Sequence, residues 1–226
     1  MNILRPDSLA FPDHRAANRE GLLALGGDLS VQRLLLAYRS GIFPWTDDPL
    51  TWWSPDPRAI FELKTFAPPK RLRSTLRHHP FTLTIDRDFP AVIQACAEPG
   101  PGRESTWISP RFIEAYTELH RQGHAHSVEV WQNDTLVGGI YGIAIHGFFA
   151  GESMFHRVTD ASKIALCHLM DHLRARNFEL FDTQVLSPLT ARLGAIEIRR
   201  RDYLERLARA LRNPAQFTDP RPPPSP

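Results

Sequence analysis

The sequence predicts an α+β protein: a small N-terminal α+β unit followed by a larger mixed domain. Three observations carry that reading. After residue 58, short period-two runs alternate with 3.6-period stretches, which interleaves strands with helices. A hairpin signature lies mid-chain: His126 to Trp131, a turn at Asn133-Asp134, then Leu136 to Ile143. Hydrophobic residues make up 42% of the 226, enough for a real core and too many for a disordered chain.

The elements follow in order. Ser30 caps a helix whose Leu34, Leu35 and Tyr38 share a face and which Gly41 ends. Around it, Phe43-Pro44-Trp45 and Trp52-Trp53-Ser54-Pro55-Asp56-Pro57 read as loops packed through aromatic rings. Ala59 to Leu63 reads as a strand, and Pro69 to His78 as a helix with Lys70, Arg73 and Arg77 on one face. Phe81 to Ile85 alternates as a strand; Asp88 to Ala97 is a short helix. Ser109-Pro110 opens a helix that runs to Gln122 and stops at Gly123. After the hairpin, His146 to Ala150 is a third strand. A longer helix starts near Asp160, with Ala165, Leu166, Leu169, Met170 and Leu173 on one stripe. Phe178 to Asp182 is a buried strand, followed by two short helices. Six prolines in residues 213–226 read as a disordered, polyproline-like tail. The expected divisions are 1–60, 61–212 and 213–226.

Net charge is only +2, yet the cations cluster. Lys64, Lys70, Arg71, Arg73 and Arg77 fall in a stretch without an acid, and seven arginines between Arg192 and Arg212 face only Glu197, Asp202 and Glu205. Two basic patches on a nearly neutral chain suit a localised polyanion site; two solvated helix faces are the plain alternative. Leu136 to Ile145, the longest nearly apolar run, falls short of the ~20 residues that span a bilayer. The first residues do not read as a signal peptide, and two cysteines, Cys96 and Cys167, do not make a disulfide framework. A soluble, cytoplasmic protein is expected.

Two runs could carry chemistry. In Gly151-Glu152-Ser153-Met154-Phe155, a nucleophile elbow would need Gly where Phe155 stands, which leaves a serine hydrolase as a minor reading. Glu152, at the end of an apolar strand, is the more interesting group; its plain alternative is a salt bridge to an arginine. In Asp182-Thr183-Gln184, strand alternation puts Asp182 and Gln184 on one face, where they could orient an amine or accept its proton. Capping of the following helix is the competing role for Asp182. His120, His124 and His126 straddle a helix end without a metal-binding pattern, so no metal is expected. No dinucleotide, Walker or coenzyme A pyrophosphate loop is present, and no cofactor is expected. Trp45, Trp52, Trp53 and Trp107 suit base stacking or interdomain packing equally.

Taken in order, the motifs GLLALGGDLS (21–30), RLLLAYRSGIFPW (33–45), WWSPDPRAI (52–60), TWIS (106–109), GHAHSVEVW (123–131), LVGGIYG (136–142), GESMF (151–155), ASK (161–163) and DTQVL (182–186) resemble the bacterial leucyl/phenylalanyl-tRNA–protein transferases. The resemblance spans about Phe11 to Leu211. It implies a GNAT-like (acetyltransferase-like) C-terminal domain behind the small N-terminal one. It also implies transfer of Leu or Phe, with Met a further donor, from aminoacyl-tRNA to the N-terminal α-amino group of proteins beginning with Arg or Lys. Such products are marked for degradation by the N-degron pathway. The donor ester is already activated, so alignment, loss of one proton and an oxyanion contact suffice.

By resemblance, Asp182 and Gln184 orient and deprotonate the amine, and Glu152 binds the acceptor's N-terminal end. Ile140, Phe149 and Met154 are the candidates for the donor side-chain pocket, and Ser153 is a further substrate-binding candidate. Trp45 and Trp107 would hold the terminal adenosine and the amino acid, and Lys70, Arg71, Arg73 and Arg77 the acceptor-stem phosphates. Thr183, Leu189, Arg192 and His156 depart from the residues usual in the pattern, here Cys, His, Ser and a small polar residue. A tRNA-binding module without catalysis and a coenzyme A-dependent acetyltransferase are the competing functions. Nothing in the sequence demands more than a monomer, and membrane is not an expected partner.

Overall fold

The computed structural model describes residues 2–99 and 106–219. In chain order the elements are β1 (Asn2–Leu4), β2 (Leu22–Gly26), α1 (Val31–Arg39), β3 (Phe43–Asp47), β4 (Leu50–Trp53), β5 (Arg58–Phe61), α2 (Lys70–His78), β6 (Thr82–Ile85), α3 (Phe89–Ala97), α4 (Pro110–Arg121), β7 (Ala125–Gln132), β8 (Thr135–Ile145), β9 (Phe148–His156), α5 (Ala161–Ala175), β10 (Leu180–Gln184), α6 (Pro188–Arg192), β11 (Ile196–Ile198) and α7 (Arg200–Ala210). They form a four-stranded sheet of order β1-β2-β4-β3 and a seven-stranded sheet of order β11-β5-β10-β9-β8-β7-β6. The larger sheet is antiparallel except where β9 runs parallel to β10.

Local chemistry explains the elements. Ser30, Asp88 and Ser109 each accept a hydrogen bond from the backbone N–H three residues on, capping α1, α3 and α4. Asn133 and Asp134 both take positive φ, 49° and 58°, as a two-residue hairpin turn with the twist of β7 and β8 requires. One apolar cluster joins the small sheet and α1 to the face of the large sheet under α3 and α4. A second fills the opposite face under α5. Among the described residues no helix is long and apolar enough to cross a membrane.

The structure corrects several expectations. The Pro- and Trp-rich stretch is a sheet: Pro44 is tolerated because β3 is an edge strand, and Trp52 is fully buried with its indole N–H on the Gly26 carbonyl, 2.8 Å away. β5 begins at Arg58 and pairs inside the large sheet, so a division after residue 60 would cut a strand. The third strand of the meander runs on to His156, which makes GESMF extended chain and not a strand-to-helix elbow. β11, three residues at a sheet edge, is too short for periodicity to reveal.

The tail is not free where it is described. Phe217 is buried, stacks on His126 with ring centroids 4.3 Å apart, and its carbonyl meets His172 Nε2 at 2.7 Å. Residues 220–226 lie outside the described residues.

Candidate active site

The site is built where β9 bulges against β8 and parts from β10. Between β8 and β9, Tyr141 pairs with Ser153 and Gly142 with Gly151, so Glu152 is the extra residue of a bulge. A Cβ on Gly142 would stand 2.2 Å from the Ala150 carbonyl oxygen, an approach that only glycine permits. On the other side β10 pairs with β9 only from Leu180–Phe148 to Asp182–Ala150. Beyond that point Gln184 turns into a left-handed conformation, φ 58°. Residues of both strands at this parting line a cavity of about 90 Å³. Phe61, Ile140, Met154, Leu166 and Phe181 make it apolar, and Glu152, Ser153, Thr183 and Thr190 are its polar members.

Two carboxylates flank Gln184 with different kinds of partner. Asp182 is fully buried: Arg58 Nε donates to its Oδ1 at 2.9 Å, Arg58 NH2 to Oδ2 at 2.6 Å, and Tyr203 OH to Oδ2 at 2.8 Å. The Gln184 backbone N–H also donates to Oδ1, at 2.9 Å. Arg58 reaches back to the Gly41 carbonyl at 3.0 Å, and its guanidinium lies over the rings of Phe43 and Tyr203, 4.8 and 4.5 Å from the centroids. Burial works against its charge, and Asp182 more than offsets that, so the pKa of Arg58 rises.

Glu152 has only neutral partners. Tyr116 OH donates to Oε2 at 3.2 Å and Gln184 Nε2 to Oε1 at 3.1 Å. The Tyr116 hydroxyl in turn lies 2.5 Å from that of Tyr38. Burial pushes the Glu152 carboxyl up, the Tyr38 hydroxyl pulls it down and the charge of Asp182 pushes it up again, leaving a pKa of about 8.

The structure therefore brings Asp182, Gln184 and Glu152 into one hydrogen-bonded cluster, with Ile140, Ser153 and Met154 on the adjoining cavity. Phe149 stands elsewhere: it is fully buried against Phe181 and Phe217 and does not line the cavity. The arginine salt bridge considered for Glu152 belongs to Asp182, and Ser187, not Asp182, caps α6. Trp45 packs edge-on against Trp53, and Trp107 against Phe112. Both flank a junction in which Ser109 Oγ hydrogen-bonds the Asp47 carboxylate and Arg111 the Asp47 carbonyl. Lys70, Arg71, Arg73 and Arg77 are all exposed on α2.

The second basic stretch is largely structural. Arg200 donates to the Ser54 carbonyl, while Arg201, Arg206 and Arg209 pair with Glu205, Glu62 and Glu179. Of the central histidines, His120 Nδ1 meets the Ala125 carbonyl and His126 Nδ1 meets Asp86. Among the described residues no group of His, Cys, Asp or Glu is arranged to hold a metal ion. Sequence reasoning missed Arg58, Tyr203, Tyr116 and Tyr38, which reach the site from four different elements. Arg58 lies in a quoted motif, but only the fold shows that its partner is 124 residues away.

Comparison with known proteins decides the family. Residues 60–208 match the leucyl/phenylalanyl-tRNA protein transferase family, and residues 27–56 match its N-terminal domain. A leucyl/phenylalanyl-tRNA–protein transferase of Shewanella pealeana is 51% identical over 212 residues, covering 92% of this chain and 90% of the relative. One of Solidesulfovibrio magneticus is 52% identical over 207 residues, covering 90% and 84%. The chain belongs to the leucyl/phenylalanyl-tRNA–protein transferase family. It is thus an aminoacyltransferase. A solved ribosomal-protein-alanine N-acetyltransferase of Brucella melitensis is 16% identical, with a TM-score of 0.33 over 44% of this chain and 76% of that one.

Proposed function

We propose that this transferase moves Leu or Phe from the 3′ end of its tRNA to the α-amino group of a protein beginning with Arg or Lys. The observation that carries the reading is the apolar cavity at the strand parting, lined by Glu152, to which Gln184 is hydrogen-bonded. The donor side chain enters between Ile140, Met154, Leu166 and Phe181, which offers it no charged partner. That placement sets the ester carbonyl beside Gln184 and Glu152. Trp45 and Trp107 are assigned to the terminal adenosine. The N-degron outcome follows for the product, and the large sheet is read as acetyltransferase-like, with residues before Arg58 as a separate N-terminal unit.

The roles of the two carboxylates follow from their partners. Asp182 has both oxygens committed to Arg58, Tyr203 and the Gln184 backbone, so it anchors the site and is no free base. Glu152 is the proton acceptor. An α-ammonium with pKa near 8 faces a carboxyl also at about 8, so the proton passes between them with little driving force needed. The freed amine attacks the ester carbonyl, the N–C bond forms and the C–O bond to the ribose breaks. As that bond breaks, Glu152 returns its proton to the ribose oxygen, and the carboxylate so restored takes the second proton of the attacking nitrogen and passes it to water, which leaves a neutral amide and a free 3′-hydroxyl. Gln184 Nε2 spends one hydrogen on Glu152; its second can donate to the carbonyl oxygen as charge develops there.

Transfer of labelled Phe, and separately Leu, from charged tRNA to a peptide beginning with Arg tests the reaction, with an acidic-start peptide as control. Product on the Arg peptide alone is the expected result. Binding of charged tRNA with no transfer to either peptide would leave a tRNA-binding module instead.

A further inference from the structure

We propose that the groove between α2, the start of α5 and α6 is a phosphodiester track, which seats the single-stranded end of the donor just before its aminoacylated nucleotide, and that Arg192 is one of its contacts. This rests on the donor being a charged tRNA. The groove encloses about 600 Å³. Arg71 enters it from α2, Lys163 from α5 and Arg192 from α6, above an apolar floor that includes Leu72 and Leu193. Asp160 also lies in it and pairs with Lys163 at 2.5 Å. Three cations less one carboxylate leave a net charge of +2. Arg71 and Arg192 are exposed, and neither has an ion pair or a side-chain hydrogen bond among the described residues.

Geometry ties this groove to the cavity. On α6, Thr190 lines the cavity while Leu189, Arg192 and Leu193 line the groove. On α5, Lys163 lines the groove and Leu166 the cavity, three residues or about 4.5 Å of helix rise apart. A ligand whose acyl group fills the cavity therefore has its preceding atoms at the groove mouth. Helical steps of 100° also separate Arg71 from Lys70, Arg73 and Arg77, which share another face of α2. The basic helix thus offers one face to the groove and another to whatever lies outside it. Charge selects the occupant. A track of net +2 attracts the polyanionic donor and repels an acceptor beginning with Arg or Lys, while its apolar floor suits sugar and base faces.

The test compares Arg192→Ser with the unsubstituted protein on three Phe donors: charged tRNA, an aminoacylated trinucleotide and 3′-O-aminoacyl-adenosine, which has no phosphate. Arg192 is exposed, so the variant keeps its fold. Binding of tRNA and trinucleotide is expected to weaken roughly 3- to 10-fold, with the log K against log salt slope shallower by ~0.7, and the adenosine donor is expected to be unaffected. An unchanged affinity and slope for tRNA would overturn the track. Loss with tRNA alone would place Arg192 on the duplex, and equal loss with all three donors would make it a prop for the cavity; either result overturns the proposal. If the unsubstituted protein binds tRNA but transfers nothing, the reaction fails while the salt slopes still decide the groove.

Discussion

Asp182 and Glu152 are neighbours around one glutamine, yet they are opposite kinds of carboxylate. Gln184 gives its backbone N–H to Asp182 and its side-chain amide to Glu152. Asp182 meets a guanidinium in a bidentate pair, so its oxygens are occupied. Glu152 meets tyrosine hydroxyls and an amide; burial outweighs these and the weaker pull of the Arg58 charge, so the proton is held to about pH 8. By their ordinary values the two side chains differ little, Asp being the slightly stronger acid and so the slightly weaker base; the partners each one meets in the fold make the larger difference.

The largest break in this contrast comes from removing the cation. Arg58→Met leaves Asp182 buried without its charge partner and is expected to lower unfolding free energy by about 3–5 kcal/mol, read by urea denaturation. The double change Arg58→Met with Asp182→Leu is expected to recover most of that loss, because the stranded charge is gone. If the single and double variants were equally destabilised, packing of Arg58 on Phe43 and Tyr203 would be its main contribution.

Glu152→Gln attacks the other member. It keeps shape and hydrogen bonds but cannot take a proton, so the transfer rate is expected to fall roughly 100- to 1,000-fold with tRNA affinity unchanged. A rate within 3-fold of the parent would remove Glu152 as proton acceptor. The same variant sharpens the comparison through pH. The folded carboxyl titrates at about 8 and the unfolded one at 4.5, so between these values the folded state holds the extra proton. Stability from this group is thus full below 4.5 and declines as pH rises toward 8. Glu152→Gln is expected to gain on the parent across that window by roughly 1–3 kcal/mol, with partial access from the cavity limiting the size. A stability difference flat with pH would contradict the raised pKa.

Much of this was legible before the structure. Caps at Ser30 and Ser109 located two helices, and the Asn133-Asp134 turn located the hairpin, because these signals are local. Asp182, Gln184 and Glu152 stood out as polar groups ending apolar runs. What was hidden depends on distance in sequence. Arg58 could not be assigned to Asp182, nor Tyr38 and Tyr116 to Glu152, from any spacing. Pro44 and the paired tryptophans disguised a sheet as loop, since an edge strand and a buried indole violate the usual strand pattern. Cations between Arg199 and Arg212 looked like a patch because their partners, Glu62 and Glu179 among them, come from other elements.

The smallest effect concerns the cavity that Glu152 lines. At about 90 Å³ it fits one medium apolar side chain, and Met154 is its most adaptable wall, half-buried and unbranched. Ile140, by contrast, is buried in the core cluster that underlies α5, so shortening it would disturb more than the cavity. Met154→Ala opens room without touching Glu152 or Gln184, and a larger donor gains most from the added space. The ratio of kcat/KM for Phe over Leu is expected to rise about 10-fold, the scale on which a few methylenes are discriminated in an apolar pocket. Because the carboxylates are untouched, the pH profile of transfer is expected to stay where the parent's lies. A shifted profile with an unchanged Phe:Leu ratio would mean that Met154 shields Glu152 from water and does not measure the donor.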